Sequence, residues 1–168
     1  LNLLVNNPFF SPEDNQNLLN QAFGGRRFHN VNILPHLATN KEVCELLNAT
    51  DIDLSGLSNG EGWNLGAFNT TALGRWSIVS NHTSHKDWAT KDNSILVEPD
   101  GTIPVYDGVF FRPESPVNHG VFYTLSEEKM IAAFEEAEKK AGEINKNGLN
   151  LQTTHSWEKA VDGILANI

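Results

Sequence analysis

Cysteine is almost absent from the sequence. Cys44 stands alone, so neither an internal disulfide nor a cysteine-based structural zinc site can form, and the composition reads as cytoplasmic. Long apolar runs are missing too. The apolar opening at residues 1–5 breaks at Asn6-Asn7-Pro8, which leaves it too short for a membrane span or a signal-peptide core. Basic residues are scarce: 12 Lys and Arg against 21 Asp and Glu leave a formal charge of −9, which excludes a chain-wide attraction to nucleic acid or to an anionic membrane surface. The first residue is Leu1, not Met, which reads as a processed product or a piece of something longer.

What is present is the composition of a globular protein. Hydrophobic residues make up 39% and charged residues 20%, with 13 Gly and 7 Pro, and 168 residues suit one domain around one core. Short β-rich runs alternate with helical patterns, the signal for a parallel sheet flanked by helices. The expected strands are residues 3–5, 31–34, 51–57, 77–80 and 95–97, in a sheet of five or six.

Helices are expected between them. Ser11 caps the first, with Pro12, Glu13 and Asp14 in its opening turn and Gly24-Gly25 at its end. Thr39 caps a second, carrying Val43, Leu46 and Leu47 on one face. Residues 61–74 repeat Leu65, Phe68, Ala72 and Leu73 at helical spacing and close on Gly74. Residues 98–124, rich in Pro and Gly, read as a long loop with a hairpin. Ser126 opens a helix over 126–141 with Met130, Ile131, Phe134, Ala137 and Ala141 in one stripe. A last helix over 156–167 aligns Trp157, Val161, Ile164, Leu165 and Ile168.

The chemistry concentrates after the third strand. A parallel strand that turns through glycine into a helix presents unpaired N–H groups and the positive end of a dipole, which together form a seat for an anion. Residues 54–74 have that form, and Glu61 adds a two-oxygen acceptor for hydroxyl groups at the mouth. Phosphate beside hydroxyls describes a sugar phosphate or a nucleotide sugar. The bland alternative is that Gly60 and Gly62 serve only a tight turn and that Glu61 is a solvated acid.

The ordered set Glu61-Gly62-Trp63-Asn64-Leu65, Ala72-Leu73-Gly74, a strand, and then residues 93–101 (NSILVEPDG) resembles the C-terminal, donor-binding half of the group 1 retaining glycosyltransferases of family four, which have the GT-B fold. Residues 51–54 followed by Ser58 and Glu61 are similar to that family's Ser-x-x-Glu approach, and Ser156-Trp157-Glu158 resembles its closing helix. The resemblance covers most of the chain.

It implies a Rossmann-like three-layer α/β/α domain with a parallel sheet that binds a nucleotide-diphosphate sugar. Glu61 is the implied catalytic-site residue, contacting donor-sugar hydroxyls, while Gly62, Trp63, Asn64 and Leu65, with Ser58 and Asn69, hold sugar and phosphate. Pro35, His36 and Leu37 would frame the base, and His82, His85 and Lys86 are possible ligand contacts. No metal and no cofactor beyond the donor is implied, and the acceptor would arrive on a separate N-terminal domain. Two departures from the family pattern stand out. Asn69 occupies the place of a second glutamate, which removes a charge-assisted bond to ribose. Residues 7–17 lack the basic pair that would neutralise a diphosphate, leaving the helix start or a remote cation such as Lys86 or Arg26.

Competing readings follow from the same residues. His82, His85 and Asp87 have the spacing of a metal site on a helix, although no further ligand follows and a loop or first-turn position suits them better. Trp63, Trp76, Trp88 and Trp157 would form a sugar platform if they met, whereas lone aromatics at element boundaries are commonly packing residues. Asn48, Asn69 and Asn81 each open an N-x-Thr triplet, which chance explains in so Asn-rich a chain. A noncatalytic module that binds a nucleotide sugar or sugar phosphate is the main alternative to a transferase. An epimerase would need an acid/base set that the sequence does not offer.

Overall fold

The computed structural model describes residues 1–4, 10–106, 111–112, 117 and 120–167. Its contacts divide the chain into two units, Leu1–Cys44 and Glu45–Ile168. In the first unit, Asn2–Leu3 (β1) pairs in parallel with Asn32–Ile33 (β2), and the chain between them contains Pro12–Ala22 (α1). Ser11 caps α1 as the sequence predicts, its Oγ accepting from the N–H of Asp14 at 3.1 Å. The expected first strand at 3–5 is shifted to Asn2–Leu3, and Val5 lies outside the described residues. A capping box opens Asn40–Asn48 (α2), the helix in which the division between the units falls. Thr39 Oγ1 accepts from Glu42 N at 3.2 Å, and the Glu42 carboxylate accepts from Thr39 N at 2.9 Å.

The second unit is built on Ile52–Gly56 (β3), Trp76–Ser80 (β4) and Ile95–Val97 (β5), which pair in parallel in the order β3-β4-β5. All five residues of β4 are buried, as a strand covered on both faces requires. Alternate residues on a strand point to opposite faces. Val79 therefore packs with Ala67 and Ala72 of Leu65–Ala72 (α3) and with Trp88 and Leu151. Trp76 and Ile78, on the other face, pack with Ile95, Val97 and the small residues Ala133 and Ala137 of Glu127–Lys140 (α4). This unit is α/β, a parallel sheet between helices in the Rossmann-like layering that the sequence predicts. The sheet holds three strands among the described residues and not five or six. β1 and β2 bond only to each other, and Gly101–Pro104 (β6) forms an antiparallel hairpin with Val121–Thr124 (β7) inside the long loop expected at 98–124.

Two helical expectations change. The helix predicted from Glu61 begins four residues later, because the carbonyl of Glu61, which would accept the first intrahelical bond, instead accepts from Ser84 Oγ at 3.2 Å. On α4 the sheet takes Ala133 and Ala137, whose small side chains allow close approach, so Ile131 and Phe134 stay exposed. Lys140 of the same helix lies with Nζ 4.0 Å from the centroid of the Trp76 ring.

After α4, Asn145 links the C-terminal segment to the sheet. Its Nδ2 donates to Arg75 O at 3.0 Å and to Asn93 O at 2.7 Å, and its Oδ1 caps the short helix Lys146–Leu149 (α5). Leu151–Thr154 (α6) and Trp157–Leu165 (α7) follow. The predicted stripe on α7 forms but is not buried: Trp157 is 86% exposed, and Val161, Ile164 and Leu165 are exposed as well. Ile168 lies outside the described residues.

Candidate functional site

The carboxyl ends of β3 and β4 lie side by side, and the loops that leave them build the site. A β-bulge bends the end of β3. Asp53 faces Ser77 and Gly56 faces Val79, so three steps on β3 match two on β4. At Gly56 a Cβ would lie 2.9 Å from Val79 Cα, so only glycine lets the strands meet there. Ser80 Oγ, buried, then lies 2.9 Å from Gly56 O and 3.0 Å from Ser58 O, holding the bulged end against β4.

From Ser58 onward the β3 loop runs alongside the segment that follows β4, where Thr83–Asp87 forms a 3-10 turn. Three side chains of that segment donate to loop carbonyls in order. His82 Nε2 reaches Ser58 O at 2.8 Å, Ser84 Oγ reaches Glu61 O at 3.2 Å, and Trp88 Nε1 reaches Trp63 O at 3.2 Å. Asn64 ends the loop. It adopts φ 62°, a left-handed conformation that asparagine tolerates, and its side chain caps α3 by accepting from Ala67 N at 3.1 Å.

The carbonyls of Ser58, Glu61 and Trp63 are engaged in this way, and the loop keeps its amides free. The backbone N–H groups from Asn59 through Gly66 find no protein acceptor among the described residues. They end at the positive pole of α3, where the N–H groups of Leu65 and Gly66 are the unsatisfied donors of its first turn. The carboxylate of Glu61, half-buried, makes no hydrogen bond or ion pair with any described residue. A row of free donors beside a free carboxylate can hold acceptor oxygens at one end and donating hydroxyls at the other.

The two histidines beside this loop carry opposite tautomers. A carbonyl oxygen only accepts, so His82, 2.8 Å from Ser58 O, bears its proton on Nε2, while Nδ1 is left to accept from Thr83 Oγ1 at 3.0 Å. The His82 ring also stacks on Tyr123 of β7, with centroids 4.3 Å apart and planes within 6°. His85, fully buried, lies with Nδ1 2.7 Å from Ser80 O and therefore bears its proton there. Its Nε2 is a buried lone pair without a hydrogen-bond partner, and Ser58 Oγ is likewise buried and unpartnered. Burial pushes the His85 pKa below its ordinary 6.5, outweighing the bond to Ser80 O that would raise it.

Most of the candidate residues of this unit thus meet at one sheet edge: Ser58, Glu61, Gly62, Trp63, Asn64, Leu65, His82 and His85. Lys86 is exposed on the 3-10 turn, and Asn69 is exposed on α3, beyond its first turn. Pro35, His36 and Leu37 follow β2 in the Leu1–Cys44 unit, where His36 helps to lower the pKa of Glu42 after the stronger effect of the Thr39 bonds. His82 and His85 flank and enter the turn, with ring centroids 5.4 Å apart, and no group of three or more His, Cys, Asp and Glu able to hold a metal ion occurs among the described residues.

The four tryptophans do not form a platform. Trp76 and Trp88 are buried in the packing on opposite faces of the sheet, Trp63 packs on Phe68 and His155, and Trp157 is exposed on its own. Sequence reasoning missed Tyr123 and the backbone role of Asn59, whose carbonyl accepts from Tyr123 N at 2.8 Å. The hairpin expected within 98–124 does form, from Gly101–Pro104 and Val121–Thr124, but its strand limits, and with them Tyr123, were not read from the sequence. No helix among the described residues is long and apolar enough to cross a membrane. Compared with known proteins, the chain matches no family model and no curated relative.

Proposed function

We propose that the Glu45–Ile168 unit binds a nucleotide-diphosphate sugar at the carboxyl edge of its sheet and serves as the donor-binding half of a retaining glycosyltransferase. The observation that carries this reading is the run of unpaired amides from Asn59 through Gly66 leading into α3, with the unengaged carboxylate of Glu61 among them. Phosphate oxygens accept from the amides, and the positive end of the helix stabilises the charge that grows on the departing diphosphate. Glu61 accepts from sugar hydroxyls and orients the hexose. An N-terminal domain would supply the acceptor, and cytoplasmic residence suits both this chemistry and the single free Cys44.

A second reading of the same site is binding without transfer. Asn69, in the place where the family resemblance expects a second acid, favours it. Titration of the full chain with nucleotides and nucleotide sugars, followed by amide NMR, tests both. At least one nucleotide sugar is expected to shift the amides of Asn59 through Gly66, and Glu61→Ala is expected to weaken it by about tenfold or more, as loss of a charged hydrogen bond does. If no donor binds at millimolar concentration, or weak binding ignores Glu61→Ala, both readings fall. Turnover of a bound donor separates transfer from binding alone.

A further inference from the structure

We propose that His85 reads the sugar: its Nε2 lone pair accepts a hydrogen from one ligand hydroxyl while Glu61 takes another, an inference that rests on the donor-site reading above. The ring is locked for this task. Nδ1 donates to Ser80 O at 2.7 Å, which leaves Nε2 as an acceptor, buried and unpartnered. A buried acceptor without a donor is destabilising, and a ligand donor that arrives there removes the deficit. The diphosphate of a nucleotide sugar carries no hydrogen at neutral pH and gains nothing at Nε2, whereas a sugar hydroxyl gains a bond. The site therefore divides by chemistry, with the amides for the anion and His85 with Glu61 for the hydroxyls.

Position supports the same division. His85 lies between Ser84 and Trp88, the two residues that bond the carbonyls of Glu61 and Trp63, so its turn is laid along the loop carrying the free amides. The titratable neighbours that bear on its ring are His82 and Glu61. Those two bonds are both 3.2 Å, and the bond between His82 and Ser58 O is 2.8 Å, so three bonds in order hold the turn against the loop. Thr83 at the start of the turn holds φ 44°, a left-handed conformation that is strained for a β-branched residue.

The test uses the full chain with nitrogen-15-labelled histidine and four probes: inorganic phosphate and the 1-phosphates of glucose, galactose and mannose. The His85 Nε2 resonance is expected to move with at least one hexose phosphate and to stay in place with inorganic phosphate. His85→Phe is expected to weaken that hexose phosphate about tenfold, the loss of one hydrogen bond, and to leave phosphate binding unchanged. Hexose phosphate binding that shifts the amides of Asn59 through Gly66 but not His85 Nε2 overturns the proposal, as does an equal loss of both ligands in the variant. Phosphate bound as well as every hexose phosphate overturns it too, while the anion seat stands. If none of the four probes binds, the seat falls and this inference with it. Should His85→Phe fail to fold, the resonance of the wild-type ring decides alone.

Discussion

Asn64 Nδ2 donates to the main-chain carbonyl of Ser55 at 2.7 Å, so one buried side chain both caps α3 and ties its first turn to β3. The left-handed backbone at Asn64 adds a third demand that few residues meet. Asn64→Ala loses the cap and the bond to Ser55 O, at a combined cost of about 2–3 kcal/mol. Asn64→Gly keeps the backbone at ease and costs less than the alanine variant. Denaturant melts of the three proteins give the order wild type, Gly, Ala; alanine equal to wild type would show that the cap does not hold this helix.

Gly62 separates folding from binding at the site. A Cβ built there has nothing within 4 Å, and its φ is not in the left-handed region, so the protein has no steric reason to keep glycine. A ligand held by the neighbouring amides does have one, because its oxygens must approach the backbone closely. Gly62→Val is therefore expected to melt within about 0.5 kcal/mol of wild type, as an exposed substitution does, and to weaken nucleotide-sugar binding severalfold. Unchanged affinity would move the ligand away from this loop.

How far the site could be read in advance depended on how local each signal was. Ser11, Thr39 and Ser156 each sit at their caps, because a cap is decided within four residues. The strands at 52–56, 76–80 and 95–97 announced themselves as short apolar runs. Glu61 and Gly62 were found through the strand, glycine and helix pattern, but the helix start was misplaced, since the Ser84 bond that displaces it comes from the next strand's loop. The buried lone pair of His85 depends on Ser80, five residues away, folding back over its own turn, and no spacing rule reports that. Likewise the stripe on α4 was placed by hydrophobicity, which is right at Ala137, whereas the close approach to the sheet selected Ala133 in place of Ile131 and Phe134.

Asp53 is a site where charge opposes folding. Burial raises its pKa above the ordinary 3.8, against the bonds from Ser55 that lower it, among them Ser55 Oγ to Oδ2 at 2.8 Å. A carboxyl with a raised native pKa stabilises the fold fully below its unfolded value, and that stability is lost as pH rises through the native value. At pH 7 the ionised group is thus a net burden. Asp53→Asn keeps an oxygen to accept from Ser55 and removes the charge, so it is expected to raise the melting temperature at pH 7 by a few degrees and to have no benefit at pH 3. A lower melting temperature at pH 7 would mean that the carboxylate has a partner worth more than its desolvation costs.

His85 sets a different pH window. Its native pKa lies below 6.5, so as pH falls through 6.5 the unfolded chain takes up a proton that the folded ring refuses. Its stabilising effect is complete above 6.5 and is lost as pH drops from there toward the lowered native value. Asp100 does not blur this window. Its carboxyl is held below 3.8 chiefly by the hydrogen bond from Lys129, with Ser126 N adding a second, so its contribution is lost only in stronger acid. Melting curves of wild type and His85→Gln between pH 7.5 and 5 are therefore expected to diverge. The wild-type protein loses stability over that range through His85, and the variant loses less, because glutamine carries no titrating ring. Parallel curves would mean that His85 takes up its proton as readily folded as unfolded, and that its Nε2 is not the closed lone pair on which the reading of the sugar depends.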